Sequence, residues 1–375
     1  MNSGCPHTAQ SRAIWIRSPT CNFAQAFVLP VGLSVFLVSA ILQVKNRPRR
    51  YRRRSWVKIV LTFLGVLLCI TFIVTFALSW YLCNWLMYPE RVSITHMPAL
   101  PYESVQLETV DHVMIRGWFI PASLGIGRAP AILLLHGVVD NRNAFNIDCR
   151  ATDDKDVCPP DSPYAKNHYP TFIEALHRHG YAVLAIDQRA QGESGGDFCT
   201  YGLYETRDVP AALTYLQHRP DVDSGRLGIY GSSMGSITAI HAAAQMPAFR
   251  AVAVESPFAD LTETLRLVTA PLTKLPGWMV GPILKLYQLR TGVDLTQFRN
   301  IDDMAALGER PFYAIGDMKD KVTLPGDARR LYEALRSPER QLWEVPDTGH
   351  TESLFYHPDE FYQRLLAFFD QALKI

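Results

Sequence analysis

Thirty-one consecutive residues, Ile59 to Pro89, carry no charge. A helix crosses a bilayer with roughly 20 apolar residues, and core helices of soluble domains rarely stay apolar for so long. The run therefore predicts a membrane-spanning helix over 59–88. Trp80, Tyr81, Trp85 and Tyr88 gather at its end, where aromatic side chains mark a membrane–water boundary. A second uncharged run, Ser18 to Val44, is interrupted by Gln25, Pro30 and Gly32. It reads as a candidate span over 24–44, a signal-like segment or an upstream extension of the coding frame.

Between the two lies a basic stretch, 45–58, with eight Lys or Arg and no acid. Flanked by apolar runs, it reads as a cytoplasmic anchor. With one span or two, the basic stretch then stays inside, and everything after residue 90 is expected to be extracytoplasmic. Residues 1–89 form a membrane-anchor region on this reading, and 90–375 one folded domain.

The net charge of +1 conceals an asymmetry, because all 36 acidic residues but only 27 of the 37 basic ones lie in 90–375. An acidic domain argues against nucleic acid as a partner. The seven cysteines show no CxxC pair and no dense disulfide framework. Cys149 and Cys158 are nine positions apart in a polar, Pro-rich insert, 143–168. A bridge between them is expected, with two free thiols or pairing of either to Cys199 as the alternatives. The acidic stretch "DDKDVCPPD" in that insert lacks EF-hand spacing.

From Tyr102 onward strand and helix patterns alternate. "ESVQLETVDHVMIRGWFIPA" reads as a hairpin turning at Asp111-His112. "APAILLL", "YAVLAID", "GRLGIYG", "FRAVAVES", "RPFYAIGD" and "RQLWEV" are apolar strands with helices between most of them. That rhythm predicts an α/β domain on a buried, mostly parallel sheet. Residues 261–305 break it with an apolar helical segment, which is expected to form a lid over an acyl-binding cleft.

"GSSMG" fits G-x-S-x-G in one frame only, so Ser233 is the candidate nucleophile, and Ser232 and Ser236 are not. The motif needs a strand turning sharply into a helix, with flanking glycines where a Cβ would clash. "RLGIY" supplies the strand and "SITAIHAAAQ" the helix. Downstream, the strand ends "GDMKDKV" and "DTGH" carry Asp320 and His350, which lets carboxylate, imidazole and hydroxyl converge at one sheet edge. Asp317 is expected to cap the turn after its strand, and Glu255 is the alternative acid. His136 and His241 read as structural. Backbone N–H groups for an oxyanion hole are expected from Met234 and Val138.

With "HGVVDNR", "DQRAQGESGG", "GSSMG", "GDMKDKV" and "DTGH" in that order, the chain from about 100 to 375 resembles the α/β-hydrolase superfamily. The likeness is strongest to its serine-aminopeptidase-like and acylglycerol-lipase-like branch. It implies Ser233 as nucleophile, Asp320 as acid and His350 as base, with no metal or organic cofactor. The expectation is a membrane-anchored serine hydrolase acting on a small-molecule or lipid ester. An aminopeptidase-like amide hydrolase and an inactive scaffold for protein binding are the alternatives.

Overall fold

The computed structural model describes residues 49–123, 127–149, 158–273 and 277–374. The candidate span over 24–44 and most of the acidic stretch "DDKDVCPPD" lie outside them.

In chain order the elements are α1 (Arg49–Met87), β1 (Glu103–Glu108), β2 (Met114–Ile120), β3 (Ala129–Leu135), α2 (Pro163–Lys166), α3 (Phe172–Arg178), β4 (Ala182–Ile186), α4 (Val209–His218), β5 (Val222–Ser232), α5 (Met234–Gln245) and β6 (Phe249–Glu255). Then follow α6 (Leu261–Thr273), α7 (Val280–Thr291), α8 (Asn300–Leu307), β7 (Phe312–Asp317), α9 (Asp327–Ala334), β8 (Arg340–Val345), α10 (Ser353–Tyr356) and α11 (Pro358–Leu373).

The eight strands form one sheet in the order β1-β2-β4-β3-β5-β6-β7-β8. The expected hairpin is there, with β2 antiparallel to both β1 and β4, and every pair from β4 to β8 is parallel. Strands buried on both faces need apolar side chains at every position. Along β3, Ala131, Leu133 and Leu135 enter one core, and Ile132 and Leu134 the other. The first core packs α4, α5, α8 and α9 on that face, and the second packs α3 and α11 on the opposite one. Local signals set the helix ends: Thr171 and Glu174 close a capping box on α3.

A third apolar cluster lies apart from these cores. It joins Val138, Met234 and Phe258 to Leu261, Val280, Ile283, Leu284 and Tyr287, and to Cys83, Leu86 and Met87 of α1. The segment 261–305 is helical, as α6, α7 and α8, and its buried face lies against the residues that flank Ser233. Over Trp56–Met87, α1 is long and apolar enough to cross a membrane. Its packing continues into the folded domain beyond residue 89.

Cys149 and Cys158 are joined in a disulfide with their Cα atoms 5.7 Å apart. Cys199 is free and buried, its Sγ 3.5 Å from Met234 Sδ.

Candidate active site

Ser233 lies between β5 and α5 at φ 52°, ψ −121°. A non-glycine residue avoids this region unless its surroundings enforce it. The enforcement is steric. A Cβ on Gly231 would lie 2.1 Å from the Gly235 carbonyl oxygen, and one on Gly235 would lie 2.0 Å from that of Leu135. Strand end and helix start therefore touch backbone to backbone, and the turn between them projects the serine.

Ser233 Oγ is 2.8 Å from His350 Nε2, and His350 Nδ1 is 2.8 Å from Asp320 Oδ2. A carboxylate only accepts, so the imidazole proton sits on Nδ1 and Nε2 is left to accept from the serine hydroxyl. Asp320 also accepts from the Val322 N–H at 2.6 Å and the Thr323 N–H at 2.9 Å. Burial alone would raise its pKa. The charge and hydrogen bond of His350, with the side-chain and backbone hydrogen bonds of Thr323, outweigh that and hold the carboxyl below its ordinary value.

The two expected oxyanion donors flank the serine. Met234 is the first residue of α5, where a backbone N–H has no intrahelical acceptor. Val138 follows Gly137, whose Cβ position would be 3.2 Å from the Cβ of Ser233. Val138 and Met234 share the third apolar cluster.

Other sequence candidates fall elsewhere. Glu255 accepts from Tyr230 Oη at 2.5 Å and from Ser353 Oγ, whereas the imidazole of His350 faces Asp320. The Nδ1 of His136 donates to the Gly137 carbonyl and its Nε2 accepts from the Gln188 N–H, so the ring braces the loop after β3. His241 pairs with Asp303 at 2.9 Å and packs edge-on to Phe298. Arg189 of "DQRAQGESGG" binds Asp208 and Asp111, and Arg142 binds Asp187 and Glu193. That motif is a scaffold of ion pairs, of which Arg189–Asp208 and Arg142–Asp187 are buried.

The side chain of Asp317 does not make the expected cap of the turn after its strand, but binds two hydroxyls of neighbouring loops. Asp317 ends β7 and accepts from Thr348 Oγ1 at 2.6 Å and Ser256 Oγ at 2.7 Å, while Ser256 Oγ accepts from the Thr351 N–H at 3.1 Å. Burial, followed by the neighbouring charge of Glu255, pushes the Asp317 carboxyl well above its usual range. These bonds hold the loop carrying His350 from both sides. The signal was available: "GDMKDKV" and "DTGH" end adjacent parallel strands, β7 and β8.

The profile of the prolyl oligopeptidase family matches residues 167–375, more than half of the chain. A protein of Mycobacterium tuberculosis is 28% identical over 248 residues, which is 66% of this chain and 72% of that one. A membrane protein of Saccharomyces cerevisiae, YNL320W, is 23% identical over 309 residues, 79% of this chain and 92% of its own. Among solved structures, the Pyrococcus furiosus esterase Pf2001 superimposes with a TM-score of 0.58 at 24% identity, over 76% of this chain and 99% of that one. An acylaminoacyl peptidase of Pyrococcus horikoshii does so with a TM-score of 0.54 at 16% identity, over 73% of this chain and 42% of that one. Both likenesses lie in the α/β-hydrolase fold.

Proposed function

The chain belongs to the prolyl oligopeptidase family of serine hydrolases, and we propose that it cleaves a carboxylic ester through an acyl-enzyme on Ser233. His350 Nε2 takes the Ser233 proton as Oγ attacks the carbonyl carbon. Asp320 holds the imidazole and balances the charge it gains. The Met234 and Val138 N–H groups receive the developing oxyanion. The imidazolium returns its proton to the departing alcohol. Water, deprotonated by the same nitrogen, then releases the acid and restores the serine.

The observation that carries this reading is the unbroken pair of 2.8 Å contacts from Ser233 through His350 to Asp320. Ser233→Ala is expected to abolish fluorophosphonate labelling and hydrolysis of short p-nitrophenyl esters, with Ser232→Ala labelling normally. Label retained by the Ser233 variant would overturn the assignment. The family's peptidase members favour a second reading, amide hydrolysis, and a parallel panel of esters and acylated peptides separates the two.

We further read α1 as a membrane span with the catalytic domain on the extracytoplasmic side. Support comes from its length and apolarity and from the eight cations of the basic stretch on its N-terminal side. The Cys149–Cys158 bridge suits an oxidising compartment. The yeast relative's description as a membrane protein agrees with the anchor.

A further inference from the structure

From Trp56 on, the buried residues of α1 lie only at its end. None of residues 56–78 is buried, but Ser79, Cys83, Leu86 and Met87 are. The spacing of these four puts them on one face of the helix, and that face meets the catalytic domain. Arg290 of α7 donates to Asn84 Oδ1 at 2.7 Å, and its guanidinium lies 4.4 Å from the centre of the Trp80 ring. The Leu86 carbonyl accepts from Tyr201 Oη at 3.2 Å, and the Met87 carbonyl accepts from the Cys199 N–H at 2.9 Å. Tyr287 of α7 donates to the Cys199 carbonyl at 2.6 Å, which closes the seam. This is the cluster that also holds Val138 and Met234 beside Ser233.

The outward side of the seam is apolar. Leu289 on α7 is 72% exposed, and Trp278, just before α7, is 62% exposed. Leu286, packed against the cluster, lies three residues before Leu289 and four before Arg290, so it adjoins each of them on the helix surface. Trp80, Tyr81, Trp85 and Tyr88 are exposed on the outer side of α1 at the same end. Large apolar groups left together in this way mark a contact surface.

The length of α1 sets the level of that surface. Residues 59–79 rise about 31 Å at ~1.5 Å each, which matches a hydrocarbon core of about 30 Å. Trp80 to Tyr88 then emerge among the headgroups. α7, bonded to Asn84 and stacked on Trp80, is held at the same height.

We propose that the end of α1 and α7 form one platform that rests in the interfacial layer of a lipid bilayer and admits an amphiphilic acyl ester to Ser233 from the lipid side. The substrate half of this proposal rests on Ser233 as nucleophile, and the platform half on α1 as a membrane span.

The test uses the full-length chain in phosphatidylcholine vesicles. Brominated phosphatidylcholine is expected to quench part of the tryptophan fluorescence, and Trp278→Phe to remove a measurable share of the quenchable part. Leu289→Asp is expected to slow hydrolysis of 4-methylumbelliferyl oleate dissolved in the vesicles at least tenfold. Its hydrolysis of 4-methylumbelliferyl acetate from water should change less than twofold, with fluorophosphonate labelling intact. Unaltered quenching in the Trp278 variant would overturn the platform. Equal effects of Leu289→Asp on the two esters, or none on either, would overturn entry from the lipid. If the unaltered chain takes up no fluorophosphonate, the nucleophile assignment fails, and the quenching still decides the platform.

Discussion

Gly235 and Ser233 make the elbow together, the glycine yielding the space and the serine taking the strained conformation. A methyl group on Gly235 would meet the backbone oxygen of Leu135 at 2.0 Å, and backbone in the middle of a sheet cannot retreat. Gly235→Ala is therefore expected to destabilise the fold by more than about 3 kcal/mol, within the range of severe overpacking, and to lower the midpoint of thermal unfolding. Asp320→Asn is expected to lower kcat about 10³–10⁴-fold while the protein stays folded near neutral pH. Glu255→Gln should act through the bonds from Tyr230 and Ser353 and lower stability more than kcat; the reverse ranking in steady-state kinetics and urea unfolding would contradict the geometry. The Asp320 pKa is lower in the folded than in the unfolded chain. Its contribution is thus complete above about pH 4 and is lost as pH falls through the folded value. The serine was legible because a glycine-flanked elbow leaves a rigid spacing in the letters. Choosing between Asp317 and Asp320 from letters alone is harder, since both follow one strand within three positions. In the structure Asp320 meets the His350 imidazole, whereas Asp317 accepts from Thr348 and Ser256.

The parallel strands were readable as elements because β3, β4 and β7 are buried throughout, and β6 everywhere but at Arg250. Unbroken apolar runs between polar turns leave few other solutions. The Cys149–Cys158 pairing was readable for a different reason: closure between near neighbours costs little entropy. Replacing both cysteines with serine is expected to lower stability by roughly 2–3 kcal/mol. Alkylation before and after reduction, followed by peptide mass measurement, should show both thiols blocked only after reduction. The embrace of α1 by α7 was not readable. Ser79, Cys83, Leu86 and Met87 form a stripe inside a run that is apolar on every side, so the buried face has no contrast with the exposed one. Periodicity reveals a face only where polar residues mark the other.

Across the full length of the chain, charge places the parts: a basic stretch at the start of α1 and an acidic domain after it. Proteases added to sealed cells are expected to cut the catalytic domain and to leave the basic stretch intact, and protection of the domain would reverse the orientation. The chain that leaves α1 also lacks slack. Arg91 donates to the Ser194 and Gly196 carbonyls, Asn141 holds the Val92 carbonyl, and Asn146 holds that of His96. A free linker of about 12 residues would let a domain wander roughly 20 Å from its anchor. Here the tether is part of the body, and Ser233 has one fixed distance along the axis of α1. On the proposed membrane placement, an enzyme built in this way would be a depth gauge: two esters with the same acyl chain and alcohol, but with carbonyls at different heights in a leaflet, would be different substrates to it.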